Sequence, residues 1–131
     1  MRYLIDTHIL LWTLMNPEKL SPKVRELLQN PENEILVSSV SLWEVSIKYR
    51  LGKIELNFDP KDLPFGCQEL GFKTLSLDTT VASTYHLLKS DYHRDPFDRM
   101  LIRQAIVLDI PLISKDDTIK LYQSEGLKVL W

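Results

Sequence analysis

The sequence is short of the features that announce many common functions. Its single cysteine, Cys67, forbids an internal disulfide and any multi-cysteine zinc site, and it suits a reducing, cytoplasmic setting. Read by itself, Cys67 is a small packing residue. There is no glycine-rich phosphate loop and no Gly-x-Ser-x-Gly elbow. No purely apolar run exceeds four residues, Ile9-Leu10-Leu11-Trp12 being one. A spanning helix needs roughly 20, so no membrane association is expected. Asp6 interrupts the N-terminal apolar stretch too early for a signal peptide. Repeats, low-complexity tracts and linkers are absent. So is any large charge excess: 16 basic and 18 acidic residues give a net charge of −2. That is unlike the strongly basic profile of many nucleic-acid binders. Setting four carboxylates aside on a divalent metal leaves 14 acidic against 16 basic residues, a mildly basic remainder.

What is present suits one globular domain over residues 1–131, with 44% hydrophobic residues to build its core. Short β-like runs alternate with helical runs. Strands are expected at Arg2–Ile5, Glu34–Val37, Lys73–Leu75, Pro111–Ser114 and Lys128–Leu130. Helices are expected at Thr7–Met15, from Pro22 to about Gln29, from Ser38 to about Leu51, and from Phe65 to Leu70. Three more are expected from Asp78 to about Lys89, from Phe97 to about Leu108, and over Asp117–Ser124. Ser21-Pro22 and Asp95-Pro96 are helix starts, and Gly52, Gly71 and Gly126 are stops. Asn57–Pro64 reads as loop. This alternation predicts an α/β fold, a three-layer α/β/α sandwich around a small parallel sheet. In such sheets sites form beyond the carboxyl ends of the strands.

Four acids fall near those positions. Asp6 follows the first strand, Asp116 lies just beyond the fourth, Glu44 is about two turns into the helix after the second, and Asp98 is in the first turn of the Asp95-Pro96 helix. Clustered carboxylates repel and are costly to bury bare. A hard divalent cation, Mg²⁺ or Mn²⁺, removes that cost. Such an ion activates water and polarises a phosphate oxygen, as phosphodiester hydrolysis requires. Each acid also has a structural reading. Asp95 is a helix cap with Asp98 at the capping-box position, and Asp116 or Asp117 caps the last helix. Ser41 to Glu44 matches a capping box, although Ser38 is the better cap. Asp6 is the hardest to explain structurally. His8, His86 and His93 share no ligand spacing. Trp12 and Trp43 fit helical apolar patterns and read as core. Lys48 suits an ordinary i,i+4 pair with Glu44. Arg94, Arg99, Arg103 and Lys115 flank the acids and read as solvated charges able to meet RNA phosphates.

At these residues the chain resembles a PIN domain, and specifically the VapC toxins, over nearly its whole length. Four blocks carry the likeness: Leu4-Ile5-Asp6-Thr7-His8; Ser38 to Glu44, continued by Lys48, Leu51, Gly52 and Lys53; His93-Arg94-Asp95-Pro96-Phe97-Asp98-Arg99; and Pro111-Leu112-Ile113-Ser114-Lys115-Asp116. The resemblance implies a PIN-like nuclease domain that cleaves RNA with Mg²⁺ or Mn²⁺, is inhibited by a cognate antitoxin protein and forms homodimers. It implies that Asp6, Glu44, Asp98 and Asp116 are the catalytic and metal-holding acids. It gives no role to Asp95 or Asp117, and it places Ser114 as an orienting residue for Asp116 or for a water. The mechanism expected is in-line attack by a metal-activated water, with no side-chain nucleophile. A DNA nuclease or phosphatase using the same acids, and a catalytically silent binding module, are the competing readings.

Overall fold

A computed structural model describes all residues, 1–131. Its elements run β1 (Arg2–Ile5), α1 (Thr7–Met15), α2 (Pro22–Gln29), β2 (Glu34–Ser38), α3 (Ser39–Arg50), α4 (Leu63–Glu69), β3 (Lys73–Leu75), α5 (Thr79–Ser83), α6 (Pro96–Leu108), β4 (Leu112–Ile113), α7 (Asp117–Lys120) and β5 (Val129–Leu130). All strand pairs are parallel, in the order β3-β2-β1-β4-β5. The chain thus winds outward from β1 to β3, then returns past β1 to lay down β4. The crevice between the ends of β1 and β4 is the topological switch point, where open α/β sheets place their sites.

Alternation along the strands divides the interior in two. Tyr3, Ile5, Ile35, Val37 and Ile113 face one side and pack with Ile9, Leu10, Val24, Val45, Leu63 and Cys67 from α1 to α4. Leu4, Leu36 and Leu112 face the other and pack with Ile102, Ala105, Ile119 and Tyr122 from α6 and the C-terminal segment. Residues successive on a parallel strand point to opposite faces, and both faces here are covered, so the strands read as continuous apolar runs. This is the expected three-layer sandwich. Cys67 is fully buried in the first layer, as a packing residue would be. No helix is long and apolar enough to cross a membrane.

Beyond shifts of one residue at strand and helix ends, three elements differ from the sequence reading. The segment after Asp78 does not stay helical to Lys89; α5 stops at Ser83 and a 3-10 turn covers Tyr85–Leu87. Thr84 ends it, its hydroxyl turning back to donate to the Thr80 carbonyl at 2.7 Å. The last helix is α only to Lys120 and continues as a 3-10 turn over Leu121–Glu125. Pro64, read as loop, lies within the first turn of α4, where a missing N–H costs nothing.

Candidate active site

The acids are positioned by helix starts. Asp6 caps α1, its Oδ1 accepting the Ile9 N–H at 2.9 Å. Asp116 caps α7, its Oδ1 accepting the N–H groups of Thr118 at 2.7 Å and Ile119 at 3.3 Å. Asp95 caps α6, accepting from Phe97 at 2.8 Å and Asp98 at 3.4 Å. Asp6 therefore does have a structural role that the sequence reading lacked. Each cap engages one carboxylate oxygen. In Asp116 the other, Oδ2, faces the crevice.

There Asp116 meets Asp98. His93 Nε2 stands 3.0 Å from Asp98 Oδ2 and 3.0 Å from Asp116 Oδ2. One ligand-type atom from each of the three residues lies within 4.8 Å of the others. The Asp95 N–H donates to His93 Nδ1 at 3.2 Å, so the ring proton sits on Nε2, aimed at both carboxylates. His93 is the site residue that sequence reasoning missed. Its cue was its place at the head of the third block of the family likeness, two residues before the Asp95 cap.

Glu44 is brought to the same region but not into that trio. It is buried on α3, with Oε1 accepting from the Thr7 hydroxyl at 2.6 Å and Oε2 bonded to Lys48 Nζ. Thr7 Oγ also lies 2.9 Å from Ser41 Oγ. Thr7 has one proton, which goes to the carboxylate, so Ser41 donates to Thr7. Both Glu44 oxygens are engaged, and the Lys48 pair is as the spacing predicted. Ser38, not Ser41, caps α3, accepting from Val40 N–H at 3.0 Å. Ser114 is fully buried beneath the crevice. Its hydroxyl accepts the Asp116 N–H at 3.1 Å and lies near enough to the Asp6 carboxylate to favour its charged form.

The electrostatics reflect burial first and crowded carboxylates second. The Asp98 carboxyl is pushed up to about 7, first by burial and then by the neighbouring Asp95, with Glu44 and Asp6 adding and His93 opposing. Burial also raises Asp6, against the nearby Ser114 hydroxyl and the hydrogen bond from the Ile9 N–H. Asp116 goes the other way. Burial would raise it, but hydrogen bonds from His93, Thr118 and Ile119 outweigh that and hold it below the usual carboxylate value. One consequence is testable on Asp6. Asparagine caps as well as aspartate, so Asp6→Asn is expected to keep α1 capped while removing a buried charge. Metal-free Asp6→Asn should melt above the parent at pH 8; a lower melting temperature would contradict this account of the charge.

The flanking residues divide unevenly. Arg99, read as a solvated charge, is buried. Its Nε donates to Tyr85 Oη at 2.8 Å, and its Nη1 donates to Ser90 O at 2.6 Å and Tyr122 Oη at 2.9 Å. Its Nη2 donates to Leu88 O at 3.3 Å. Arg99 thus ties down the segment that carries His93. Arg103 is also drawn inward, donating to Thr84 Oγ1 at 3.0 Å. Arg94 and Lys115 are exposed. Asp117 is exposed and pairs with Lys120 at 3.3 Å, away from the crevice contacts. Trp43, read as core, is 61% exposed and stacks edge-on against Phe97 at 5.2 Å. Trp12 is half-buried and borders the crevice itself.

The architecture and the sequence both have relatives. Over 130 residues the chain is 24% identical to ribonuclease VapC22 of Mycobacterium tuberculosis, covering 98% of this chain and 97% of that protein. Its fold is similar to VapBC2 from Rickettsia felis, solved with a DNA fragment from the promoter, at TM-score 0.70 and 18% identity over 99% of this chain and 98% of that one. It is likewise similar to VapBC-1 from nontypeable Haemophilus influenzae, at TM-score 0.65 and 18% identity over 99% and 97%. The PIN domain family matches residues 3–124, and with that span, this fold and acids at the switch point, the chain belongs to the PIN domain family.

Proposed function

We propose that this protein is a metal-dependent endoribonuclease and the toxin of a toxin–antitoxin pair. The observation that carries the metal reading is the convergence of Asp98 Oδ2 and Asp116 Oδ2 on one point, both 3.0 Å from His93 Nε2. The donor set fits Mg²⁺ or Mn²⁺. It consists of hard oxygens from separate elements, one of them with its proton affinity raised by burial and by neighbouring carboxylates. Asp98 and Asp116 would hold the ion directly, and Asp6 would complete the acidic floor. Glu44, both of whose oxygens are engaged, would act through its charge. A divalent ion at this place supplies Lewis acidity toward a phosphate oxygen and makes water a better nucleophile.

The chain's own residues do the rest. Ser114 fixes the backbone of Asp116 beside Asp6. Asp95 sets the start of α6 and the His93 ring, and Lys48 neutralises Glu44 so that the site is not more acidic than the ion can balance. RNA is favoured as substrate because the near full-length relative is named a ribonuclease. The relatives solved as VapBC assemblies favour a protein antitoxin here too. Its C-terminal segment would lie over the crevice. An arginine from it would pair with the carboxylates bidentately and compete with the ion.

The test is cleavage of a single-stranded RNA and a DNA of the same sequence. The expected result is RNA cleavage that EDTA abolishes and Mg²⁺ or Mn²⁺ restores, with DNA left intact. Cleavage of DNA alone, or of neither, would overturn the ribonuclease assignment. Expression of the chain alone should arrest growth, and co-expression of its antitoxin should relieve it; harmless expression would remove the toxin assignment.

A further inference from the structure

One wall of the crevice is not acidic. A cavity of about 320 Å³ is lined by Asp6 and Asp116 together with His8, Trp12 and Lys115. Trp12 stands edge-to-face against Trp131 with ring centres 6.0 Å apart, so the second indole buttresses the first. His8, on the preceding turn of α1, tilts toward Trp12 at 6.1 Å. Two ammonium groups converge on the same indole. Lys19 Nζ is 5.8 Å from its centre and Lys115 Nζ is 5.9 Å away, the latter also 5.7 Å from Trp131. Lys115 is exposed and adjoins Asp116 in the chain.

We propose that Trp12 is a stacking platform for the nucleobase next to the scissile phosphate of a single-stranded RNA, with Lys115 holding a flanking phosphate. This rests on the ribonuclease reading of the adjoining acids. A half-buried indole braced by a second ring is preorganised, so little side-chain freedom remains to be lost when a base stacks on it. Base–aromatic stacking is tolerant of sequence, and lysine meets a phosphate as a point charge. The two cations also explain how a polyanion approaches a cluster of carboxylates. They sit over the Trp12 ring, and a base sliding onto the indole displaces them toward its own phosphates. A duplex keeps its bases stacked inside and cannot use such a platform, so the RNA that fits is unpaired.

The test is a fluorescence titration with short single-stranded oligoribonucleotides carrying 2-aminopurine at successive positions, and with counterparts abasic at the same positions, in Ca²⁺. For the wild type, one position should be strongly quenched, and the abasic counterpart of that position should bind about tenfold or more weakly. Trp12→Leu should lose the quench and bind the intact oligonucleotide about tenfold or more weakly. It should no longer distinguish intact from abasic, whereas Trp12→Phe should keep most of the difference. Lys115→Ala should lower the slope of log affinity against log salt by about 0.7, one single-strand phosphate contact, and serves as the independent variant if Trp12→Leu does not fold. Binding of Trp12→Leu within twofold of wild type, equal binding of abasic and intact strands, or no binding by the wild type would each overturn the platform. RNA cleavage with an unchanged KM in Trp12→Leu overturns the platform and leaves the nuclease standing. Trp12-dependent binding with no cleavage by the wild type does the reverse.

Discussion

Asp98→Asn is expected to lose RNA cleavage by more than about a hundredfold and, without metal, to melt above the parent at pH 8. The loss follows from removing a direct donor, since partners one step further out are already worth about 10–100-fold. The gain follows from linkage. Asp98 titrates near 7 in the folded protein against 3.8 in an ordinary carboxyl. Between those values the folded state binds the extra proton, so stability falls as pH rises through that window. The stabilisation is fully present below about pH 4 and gone above about pH 7, a swing on the order of a few kcal/mol. Metal-free wild type should therefore melt lower at pH 8 than at pH 5, after allowance for the other groups, and Asp98→Asn should flatten that difference. Ion binding should tighten over the same window, because the proton must leave before the ion can enter. Thermal melts across pH with EDTA, alongside a cleavage time course, check all of this. A destabilised but active Asp98→Asn would reverse the assignment.

Arg99→Met is expected to cost about 2–4 kcal/mol, because each buried acceptor left without its donor costs about 1–3 kcal/mol. The guanidinium is buried and fastens Tyr85, Leu88, Ser90 and Tyr122 to α6. Its removal takes the donor from the Tyr85 phenol oxygen and the Leu88 carbonyl, while Ser90 O keeps the Tyr122 hydroxyl and Tyr122 Oη keeps the His93 N–H. Arg99→Lys should recover little, because one ammonium cannot reproduce a planar fork with contacts on three nitrogens. Urea unfolding gives the magnitude. Hydrogen exchange should show residues 88–95 opening first, loosening His93 and the Asp95 cap together. A change below about 1 kcal/mol would mean that Arg99 is the solvated charge its sequence context suggested.

The contrast between Arg99 and Asp98 shows what was readable in advance. The strand–helix alternation was legible because each β-run is apolar and bounded by caps that operate as expected, at Ser21, Ser38 and Asp95. The strand-end rule then placed Asp6 and Asp116 at one crevice. What failed was information carried between elements. Nothing local marks Arg99 as buried; its partners come from a segment folded back over α6 and from the C-terminal turn. His93 was passed over because its meaning depends on that segment. Trp43 fits a helical apolar pattern, but α3 turns it outward beside Phe97. Helix α5 was overextended because a threonine's return bond to its own helix decides where the helix stops.

The most direct measurement is diffraction from crystals soaked in Mn²⁺, with data collected for manganese anomalous scattering. A peak is expected roughly 2 Å from carboxylate oxygens of both Asp98 and Asp116, and it should disappear in Asp98→Asn crystals soaked in the same way. A peak elsewhere on the molecule, or no peak with His93 still bridging the two carboxylates at saturating Mn²⁺, would contradict this ion site.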